Sequence, residues 1–389
     1  MGSRRRVRVL FYQSVVGVGG AETLRLTQLR YLDRNRVEPL VAVQQFEPER
    51  DGDAWWAGEA RALGVPVISL GCRTESPREV RAYGALAKAL IEHRPDILQT
   101  SMFPSNTVGR LVALAAPRLR VIAEEHNCYV WKRWSHIAVD RALARRSHAI
   151  LACSRAVADY TAAQEGIDRS AFRVLYNCLD PGRLRVDRGR DDVRAELGTP
   201  PEALVFVAAG RISPQKGFER IVSAMHKMRS PSSRPVELWV AGGDGRDNDR
   251  ARLERHIASL DPRTIKVRLL GERKDIANVF AAADVFAHAA RWEGFGIVLI
   301  EAMYASLPVV AFGVNGVPEV VDDGVTGLLV SPDDVGALRG ALESLASDPE
   351  RAKRMGEAGR ARALRLFMPE AHVAQLVELY DELLADRPA

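Results

Sequence analysis

The sequence of 389 residues is long enough for two domains that each bury their own hydrophobic core, since domains typically contain about 100–200 residues. With 47% hydrophobic residues, four cysteines and no run of about 18 uninterrupted apolar residues, it excludes a disulfide-stabilised miniprotein, a collagen and a membrane-spanning chain. The formal charge of +5 comes from 55 basic and 50 acidic residues that are interleaved along the chain. This balance favours anionic small molecules, or a weakly attractive membrane surface, over nucleic acid.

The chain begins with Met1–Arg6 and continues into a short apolar run, Val7–Tyr12, which is too short for the hydrophobic core of a signal peptide. The four cysteines are widely spaced, with no Cys-x-x-Cys and no histidine partner at zinc spacing: Cys72, Cys128, Cys153 and Cys178. These features predict a cytoplasmic protein with reduced, structural thiols. Peripheral contact with the inner face of a membrane is an open alternative.

Short β-branched runs alternate with stretches of helical periodicity throughout the first half of the chain. The strands predicted there are Val7–Tyr12, Pro39–Val43, Val65–Leu70, Asp96–Thr100, Val121–Glu124, Ala149–Ser154 and Arg173–Asn177. Alanine- and leucine-rich helices lie between them, for example Ala21–Leu32 and Val80–Glu92. This alternation is typical of a doubly wound parallel sheet.

A segment rich in glycine, proline and charged residues, 180–190, interrupts the alternation and predicts a domain boundary. Strands then resume at Leu204–Gly210, Glu237–Ala241, Val267–Gly271, Val285–Ala289, Pro308–Phe312 and Gly327–Val330. We expect an α/β protein with one domain at 1–182, a second of the same class at 183–368, and a helix at 369–389 that crosses back to the first.

A glycine-rich loop, Val16–Glu22, follows the first predicted strand and opens the first helix. Gly19 and Gly20 leave backbone N–H groups accessible at the helix N-terminus, an arrangement that binds anions. A tight turn that needs glycine for its backbone angles is an equally good interpretation. A nicotinamide cofactor is disfavoured, because the spacing is not Gly-x-Gly-x-x-Gly and the second strand ends in Gln44-Gln45 rather than in an acidic residue.

A second loop, Gly210–Phe218, ends the first strand of the second half and carries Arg211 and Lys216 five residues apart. An arginine fork and a lysine ammonium on one loop can converge on a diphosphate. Only seven of the 55 basic residues are lysines, which favours a specific role for Lys216. The alternative is a solvated loop with two ordinary surface charges.

A third segment, Arg291–Met303, places two glutamates eight residues apart. Its helix is apolar at Ile297–Ile300 and then contains Glu301, whose burial is costly without partners, so the hydroxyl groups of a ligand would explain it. Helical rise over eight residues spans about 12 Å, which would put Glu293 and Glu301 at opposite ends of a nucleotide sugar. The alternatives are a buried salt bridge for Glu301 and an acid that suits the helix dipole for Glu293.

Taken in chain order, these motifs and those that follow them resemble family 4 of the retaining glycosyltransferases, also known as glycosyl transferases group 1. The residues that carry the resemblance are Gly19–Glu22, Asn177–Asp180, Gly210-x5-Lys216-Gly217, Ala241–Gly245, Glu293-x7-Glu301, Gly316–Val321, Gly324, Gly327–Val330 and the helix Leu376–Leu384. The resemblance covers nearly the whole chain and is most specific at residues 204–331.

The resemblance implies a GT-B fold, in which two Rossmann-like, doubly wound parallel-sheet domains face each other across a cleft. Residues 1–182 would form the acceptor side, and residues 183–368 would bind the donor, a UDP- or GDP-sugar. The acceptor would be a hydroxyl group of a glycan, a glycolipid or a small molecule. Neither a metal ion nor another cofactor is expected.

The resemblance also implies roles for particular residues. Arg211 and Lys216 would bind the donor diphosphate, Glu301 the ribose hydroxyls and Glu293 the transferred sugar. His126 matches the family histidine beside that sugar, although without the family match it would be uninformative. The remaining donor-binding positions are Gly19, Gly20, Gly210, Gly271, Arg273, Phe295, Gly296 and Ile297, with Gly271 and Arg273 near the base.

Two positions depart from the family pattern. Asn315 precedes Gly316 where the family often has a glycine, which predicts altered contacts in the donor-sugar pocket, and Cys178 replaces the glycine of an Asn-Gly-Val-Asp junction, which predicts a stiffer hinge. The strings Asp51–Asp53 and Asp247–Asp249 could suggest a metal site, but both are predicted to lie in polar loops. The cations and helix N-terminus already provide charge stabilisation.

Two other functions share this architecture: a nucleotide-sugar 2-epimerase, and a non-catalytic protein that binds nucleotide sugars. A further question is whether residues 129–146 contact a membrane that carries a lipid-linked acceptor. This segment has five bases, one acid and two tryptophans. The favoured interpretation is an ordinary packed helix, because Arg141 breaks its apolar stripe.

Overall fold

The computed structural model describes residues 5–228, 234–245, 249–261 and 264–385. The chain divides into two units: the first runs to Cys178 and includes the helix that begins at Pro369, and the second runs from Leu179 to Met368. The sequence-based boundary after residue 182 falls within a short 3-10 turn, Pro181–Arg183. Residues 1–4 of the predicted first domain and 386–389 of the predicted terminal helix lie outside the described residues.

The first unit is built on a parallel sheet of seven strands in the order β3-β2-β1-β4-β5-β6-β7. The strands are β1 Val7–Gln13, β2 Val37–Val43, β3 Val67–Ser69, β4 Ile97–Ser101, β5 Arg120–Glu125, β6 Ala149–Ala152 and β7 Phe172–Val174. The helices between them are α1 Gly20–Tyr31, α2 Asp51–Ala62, α3 Val80–His93, α4 Met102–Ala113, α5 Trp134–Ala144 and α6 Arg155–Glu165.

Both faces of this sheet are buried, which explains why its strands are continuous apolar runs rather than alternating ones. In β1, Phe11 belongs to the core cluster that contains Trp56 of α2. Its neighbour Leu10 belongs to a separate cluster with Leu86 of α3. Successive side chains of the strand therefore serve opposite faces, as the two-residue period of a strand requires.

The second unit repeats this architecture with six parallel strands in the order β10-β9-β8-β11-β12-β13. The strands are β8 Leu204–Ala209, β9 Val236–Ala241, β10 Lys266–Gly271, β11 Val285–His288, β12 Val309–Phe312 and β13 Gly327–Val330. The helices are α7 Arg190–Glu196, α8 Phe218–His226, α9 Asp249–Ala258, α10 Ile276–Ala282, α11 Ile297–Tyr304, α12 Val317–Val320, α13 Val335–Ser347 and α14 Pro349–Leu366.

The last helix, α15 at Pro369–Ala385, belongs to the first unit although it follows the second in the chain. Its Tyr380 is fully buried in the core cluster of β1 and α1, and the hydroxyl group donates a hydrogen bond to Gln99 of β4. The His372 ring lies 2.9 Å from the amide nitrogen of Gln28 and 2.7 Å from the carbonyl oxygen of Tyr176. These contacts make α15 part of the core of the first unit.

The predicted strands are present in the structure, with ends that differ by at most three residues. One expectation was wrong: Asp51–Asp53, predicted to lie in a loop, opens α2. Asp53 is buried there and accepts a hydrogen bond from the backbone N–H of Glu47 at 3.0 Å. Across the described ranges, every helix is too short or too polar to span a lipid bilayer.

Candidate active site

The candidate site of the second unit lies where the strand order of its sheet reverses. The chain progresses outward from β8 to β9 and β10 on one side, and from β11 to β13 on the other, so β8 and β11 are neighbours. Ligands of such sheets bind beyond the carboxyl ends of the strands at this switch point. The loops that follow β8 and β11, residues 210–217 and 289–296, begin at this edge.

Close backbone approaches hold the loop after β8 in place. Gly217 has a left-handed φ of 63°, and a Cβ atom there would lie 2.1 Å from the carbonyl oxygen of Ala289. A Cβ atom at Gly242 would lie 1.9 Å from the carbonyl oxygen of Gly210. Only glycine permits these approaches, because real Cβ contacts are much longer. The two glycines are therefore required by packing against neighbouring loops.

Hydrogen bonds then join the loops after β8 and β11. The backbone N–H of Arg291 donates to the carbonyl oxygen of Gln215 at 2.8 Å. The Gln215 side-chain amide donates to the carbonyl oxygen of Trp292 at 3.0 Å. This pairing brings Lys216 and Glu293, which are 77 residues apart in sequence, into direct contact.

Lys216, Glu293 and His288 form a compact buried cluster. The Lys216 Nζ atom lies 2.5 Å from Oε2 of Glu293, and His288 Nε2 lies 3.3 Å from the same oxygen. Burial would raise the pKa of Glu293, but the positive charge of Lys216 and the nearby His288 outweigh it and hold the pKa at about 2. Glu293 is therefore ionised at neutral pH.

His288 ends β11, and the sequence analysis did not identify it. Its side chain is 3% exposed, and within the described residues neither ring nitrogen makes a well-formed hydrogen bond, although Nε2 lies 3.3 Å from Oε2 of Glu293. Burial lowers its pKa, the Glu293 carboxylate opposes that change, and Lys216 adds to it. The signal that could have revealed this residue is a polar side chain at the end of an otherwise apolar strand, five residues before Glu293.

The backbone of Glu293 is fixed by the loop that precedes α12. Its N–H donates to Oδ1 of Asn315 at 3.2 Å, and its carbonyl oxygen accepts from the N–H of Gly316 at 3.1 Å. Asn315 has a left-handed φ of 41°, a region where asparagine is tolerated better than most residues other than glycine. Asn315 thus occupies a backbone conformation that glycine also adopts readily, and its side chain contacts the backbone of Glu293.

Helix α11 begins at Ile297, directly after this loop. Gly296 is its N-cap with a φ of 88°, and no side chain caps the first turn. The N–H of Leu299 bonds to the carbonyl oxygen of Gly296 at 2.9 Å, and the N–H groups that precede it lie at the open end of the helix. Phe295 is buried and packs edge-to-face on Phe367 with ring centroids 5.4 Å apart. These features anchor a helix N-terminus, which attracts negative charge, beside Glu293.

Glu301 lies on α11, where burial raises its pKa and the positive charge of Arg183 opposes the increase. The predicted 12 Å separation from Glu293 assumed helical rise over the whole interval. The helix begins only at Ile297, so residues 293–296 do not contribute helical rise and this spacing argument fails.

The two arginines predicted to bind the donor, Arg211 and Arg273, differ in whether their guanidinium groups already contact carboxylates. Arg211 is exposed, and its guanidinium makes no hydrogen bond or ion pair with any described residue. Arg273 instead donates to Glu196 at 2.8 Å and to Asp275 at 2.7 Å, which raises its pKa. It follows Gly271, which has a left-handed φ of 68° at the end of β10. Arg211 is therefore available to a ligand, whereas Arg273 is held by two carboxylates.

In the first unit, His126 directly follows β5. Its Nε2 atom lies 3.4 Å from Oε2 of Glu124, and among described residues Nδ1 has no partner. Glu124 forms a buried ion pair with Arg25 of α1 and accepts a hydrogen bond from Gln99 at 2.5 Å. Burial would raise the pKa of Glu124, but Arg25 and His126 lower it to about 2. A fixed carboxylate thus orients the histidine, which the sequence did not reveal.

The glycine loop of the first unit joins β1 to α1. Gly19 is the N-cap of α1, Gly20 is its first residue, and no side chain caps the helix. A Cβ atom at Gly19 would lie 2.1 Å from the carboxylate of Glu22. The φ of 143° at Gly17 supports the turn interpretation of this loop, and the lack of a side-chain cap supports an open helix N-terminus.

The structure shows which basic residues of the segment 129–146 are accessible to a membrane. Lys132, counted among its membrane-facing charges, is buried, with Nζ 2.7 Å from Asp140 and 2.5 Å from Glu165. Arg146 donates hydrogen bonds to three backbone carbonyl groups. These two bases cannot face a membrane, but Trp134 is 82% exposed at the start of α5.

The described residues contain no cluster of three histidine, cysteine or acidic side chains that could hold a metal ion. Asp247 and Asn248 of the second Asp-x-Asp string lie outside the described residues.

Two family models match the chain. The model described as Glycosyltransferase Family 4 matches residues 18–183, and the model described as Glycosyl transferases group 1 matches residues 189–362.

Two curated relatives illustrate the sequence similarity. An alpha-maltose-1-phosphate synthase of Mycobacterium tuberculosis (strain ATCC 25618 / H37Rv) is 33% identical over 61% of this chain and 65% of its own length. A D-inositol 3-phosphate glycosyltransferase of Corynebacterium glutamicum (strain R) is 34% identical over 51% of this chain and 48% of its own. The chain therefore spans less than two thirds of the length of these relatives.

Solved structures show the fold. Anabaena Alr3699/HepE, in complex with UDP and glucose, superimposes with a TM-score of 0.83 at 23% identity, over 97% of this chain and 100% of that one. The sucrose-phosphate synthase of Thermosynechococcus elongatus gives 0.81 at 21% identity, over 98% and 100%. The predicted fold class is confirmed: two Rossmann-like parallel-sheet domains of the GT-B type.

Proposed function

Because this chain belongs to glycosyltransferase family 4, also known as glycosyl transferases group 1, we propose that it transfers a sugar from a nucleotide diphosphate sugar to an acceptor hydroxyl group. The observation that carries the proposal is the Lys216–Glu293 pair at the switch point of the second sheet, beside the uncapped N-terminus of α11. This arrangement joins a cation and fixed N–H groups for a diphosphate to a carboxylate for sugar hydroxyls.

The diphosphate is the leaving group of this reaction, and negative charge grows on it as the glycosidic bond breaks. Lys216 and the exposed Arg211 supply two positive charges on one loop, and the N-terminus of α11 adds its dipole. Groups fixed before the reaction stabilise such charge without reorganisation. With these groups in place we propose that no metal ion is needed.

Glu293 and Glu301 receive different parts of the donor in this proposal. Glu293 is ionised and held on both sides by the loop at 315–316, so it can accept hydrogen bonds from the hydroxyl groups of the transferred sugar. Glu301, on the second turn of α11, would accept from the ribose. The main-chain N–H groups at Phe295–Ile297 would contact the phosphates and the sugar.

We propose transfer with retention of the anomeric configuration. The leaving phosphate would accept the proton of the acceptor hydroxyl, and catalysis would rest on positioning and on charge stabilisation. His126, whose Nε2 lies 3.4 Å from the ionised Glu124, would accept a hydrogen bond at Nδ1 from a hydroxyl group of the transferred sugar. A carboxylate that orients a histidine fixes which ring nitrogen carries the proton.

The test is a donor and acceptor matrix followed by mass spectrometry. UDP-glucose is the first donor, since Anabaena Alr3699/HepE has been solved in complex with it, and other UDP- and GDP-sugars follow. The names of the relatives suggest inositol phosphates and sugar phosphates as the first acceptors, with glycans and lipid-linked acceptors next. A glycosylated product supports the proposal, and NMR of its anomeric proton decides retention.

The same matrix separates the rival functions. Each donor is also incubated without acceptor, where conversion to its 2-epimer would identify an epimerase. Tight donor binding without product from any acceptor would indicate a non-catalytic binding protein. EDTA in parallel reactions tests metal independence, because a metal-dependent enzyme would lose its turnover.

A further inference from the structure

The Lys216–Glu293–His288 cluster is balanced in charge as it stands. One ammonium and one carboxylate form a buried pair, and His288 lies 3.3 Å from the same carboxylate oxygen. The exposed fractions of the three side chains are 19%, 11% and 3%. Since water has little access, each charge in the cluster depends on the others for its stability.

Binding of a diphosphate disturbs this balance. Under the proposed function, on which this inference rests, Lys216 contacts the diphosphate of the donor. Its single positive charge is then shared with or transferred to a ligand that carries at least two negative charges. Glu293 loses its closest cation while still buried and still required as an acceptor for sugar hydroxyls. An uncompensated buried carboxylate is strongly unfavourable.

We propose that His288 takes up a proton when the donor diphosphate binds, and that it replaces Lys216 as the cationic partner of Glu293. The proton comes from solvent and resides on the imidazole, whose Nε2 atom lies 3.3 Å from the carboxylate and could form a charged hydrogen bond with it after a small rotation of the ring. His288 is thus a positioning residue that keeps Glu293 ionised in the complex. Donor binding is therefore coupled to proton uptake.

The electrostatics of the cluster support this direction. Among described residues, the charged groups that act on the His288 ring are Glu293, from the loop after β11, and Lys216, from the loop after β8. Burial lowers the pKa of His288, and Lys216 lowers it further, so the imidazole is neutral in the empty site at neutral pH. When Lys216 moves to the diphosphate, its lowering effect on the His288 pKa is lost. The Glu293 carboxylate remains and raises that pKa.

The sign of the pH dependence follows from linkage. Since the complex binds more protons than the empty protein, affinity for the diphosphate is highest at low pH and falls as the pH rises through the His288 pKa of the complex. Uptake of one full proton changes the dissociation constant by about tenfold per pH unit. Sharing of Lys216 between Glu293 and the diphosphate would give no uptake.

The experiment is isothermal titration calorimetry of the full chain with UDP and with GDP, in buffers of different ionisation enthalpy at pH 7. The dependence of the observed heat on the buffer gives the number of protons taken up. We expect roughly one proton for the wild type and none for His288→Gln, whose amide can occupy the position of Nε2 but cannot titrate. The matched control is His256→Gln, which replaces a half-buried histidine on α9 and should keep the wild-type uptake.

The outcomes are distinct. Binding with no proton uptake in the wild type, or equal uptake in His288→Gln, overturns the inference and leaves the proposed function intact. No binding of any nucleoside diphosphate overturns the proposed function and the inference together. If His288→Gln does not fold, NMR titration of the eight histidines of the wild type replaces it: with UDP present, one histidine should titrate at higher pH than without.

Discussion

The pairing of Lys216 with Glu293 predicts a measurable cost when only one partner is removed. The pKa of Glu293 falls from 4.5 to about 2, against the effect of burial. At 1.36 kcal/mol per pKa unit this corresponds to about 3 kcal/mol of stabilisation at neutral pH. Because the pKa is lower in the folded state, the stabilisation is fully present above pH 4.5 and is lost as the pH falls towards 2.

The perturbation is Lys216→Met, which keeps the aliphatic stem and removes the ammonium 2.5 Å from the carboxylate. We expect it to lower the free energy of unfolding at pH 7 by about 3 kcal/mol, since the carboxylate becomes an uncompensated buried charge. Adding Glu293→Gln to this variant should restore most of that loss, because the buried charge is then removed as well.

The assay is urea unfolding of the wild type, the two single variants and the double variant. The matched control is Lys266→Met. The Lys266 side chain is 56% exposed, its Nζ lies 3.8 Å from a carboxylate oxygen, and its removal should change stability by less than about 0.5 kcal/mol. Strictly additive effects of Lys216→Met and Glu293→Gln would refute the reasoning. So would a Lys216→Met variant as stable as the control.

Three further predictions concern binding and activity. Arg211→Ala should reduce turnover by about 10²–10³-fold at unchanged stability, measured with the donor and acceptor that the matrix identifies; near-normal turnover would remove Arg211 from the diphosphate site. Glu301→Ala should weaken UDP binding in calorimetry, whereas Glu293→Gln should largely preserve it and still impair transfer; equal losses would mean that the two ends of the donor were assigned wrongly. In sedimentation with anionic vesicles, any membrane binding through residues 129–146 should fall on Trp134→Ala, whose side chain is 82% exposed, and should not depend on buried Lys132; binding unchanged in Trp134→Ala would exclude that surface.

The strands and their order along the chain were predictable because each is a short apolar run buried on both faces. In contrast, the charge pattern at Asp51–Asp53 was misleading. Polar residues there suggested a loop, but Asp51 and Asp53 occupy the first turn of α2, where acidic side chains suit the helix dipole. Local composition does not separate a loop from the polar start of a helix.

Individual residues of the candidate site were predicted from the sequence, but the contacts that join them into one site were not. Lys216 and Glu293 came from separate motifs, and their contact depends on β8 and β11 being neighbours, which is a property of the sheet order. His288 lies outside all the motifs that the sequence contains. Local charge counting also left open a membrane-facing role for Lys132, because its buried partner Glu165 is 33 residues away in the sequence.

The position of α15 has a consequence for how the chain folds during synthesis. The second unit, Leu179–Met368, is continuous and can fold as soon as it has left the ribosome. The first unit is made first but lacks Tyr380 and the rest of α15 in its core until residues 369–385 have emerged. The second unit should therefore complete its fold before the first unit, although the first unit is synthesised earlier, because the core of the first unit is complete only after α15 has packed on it.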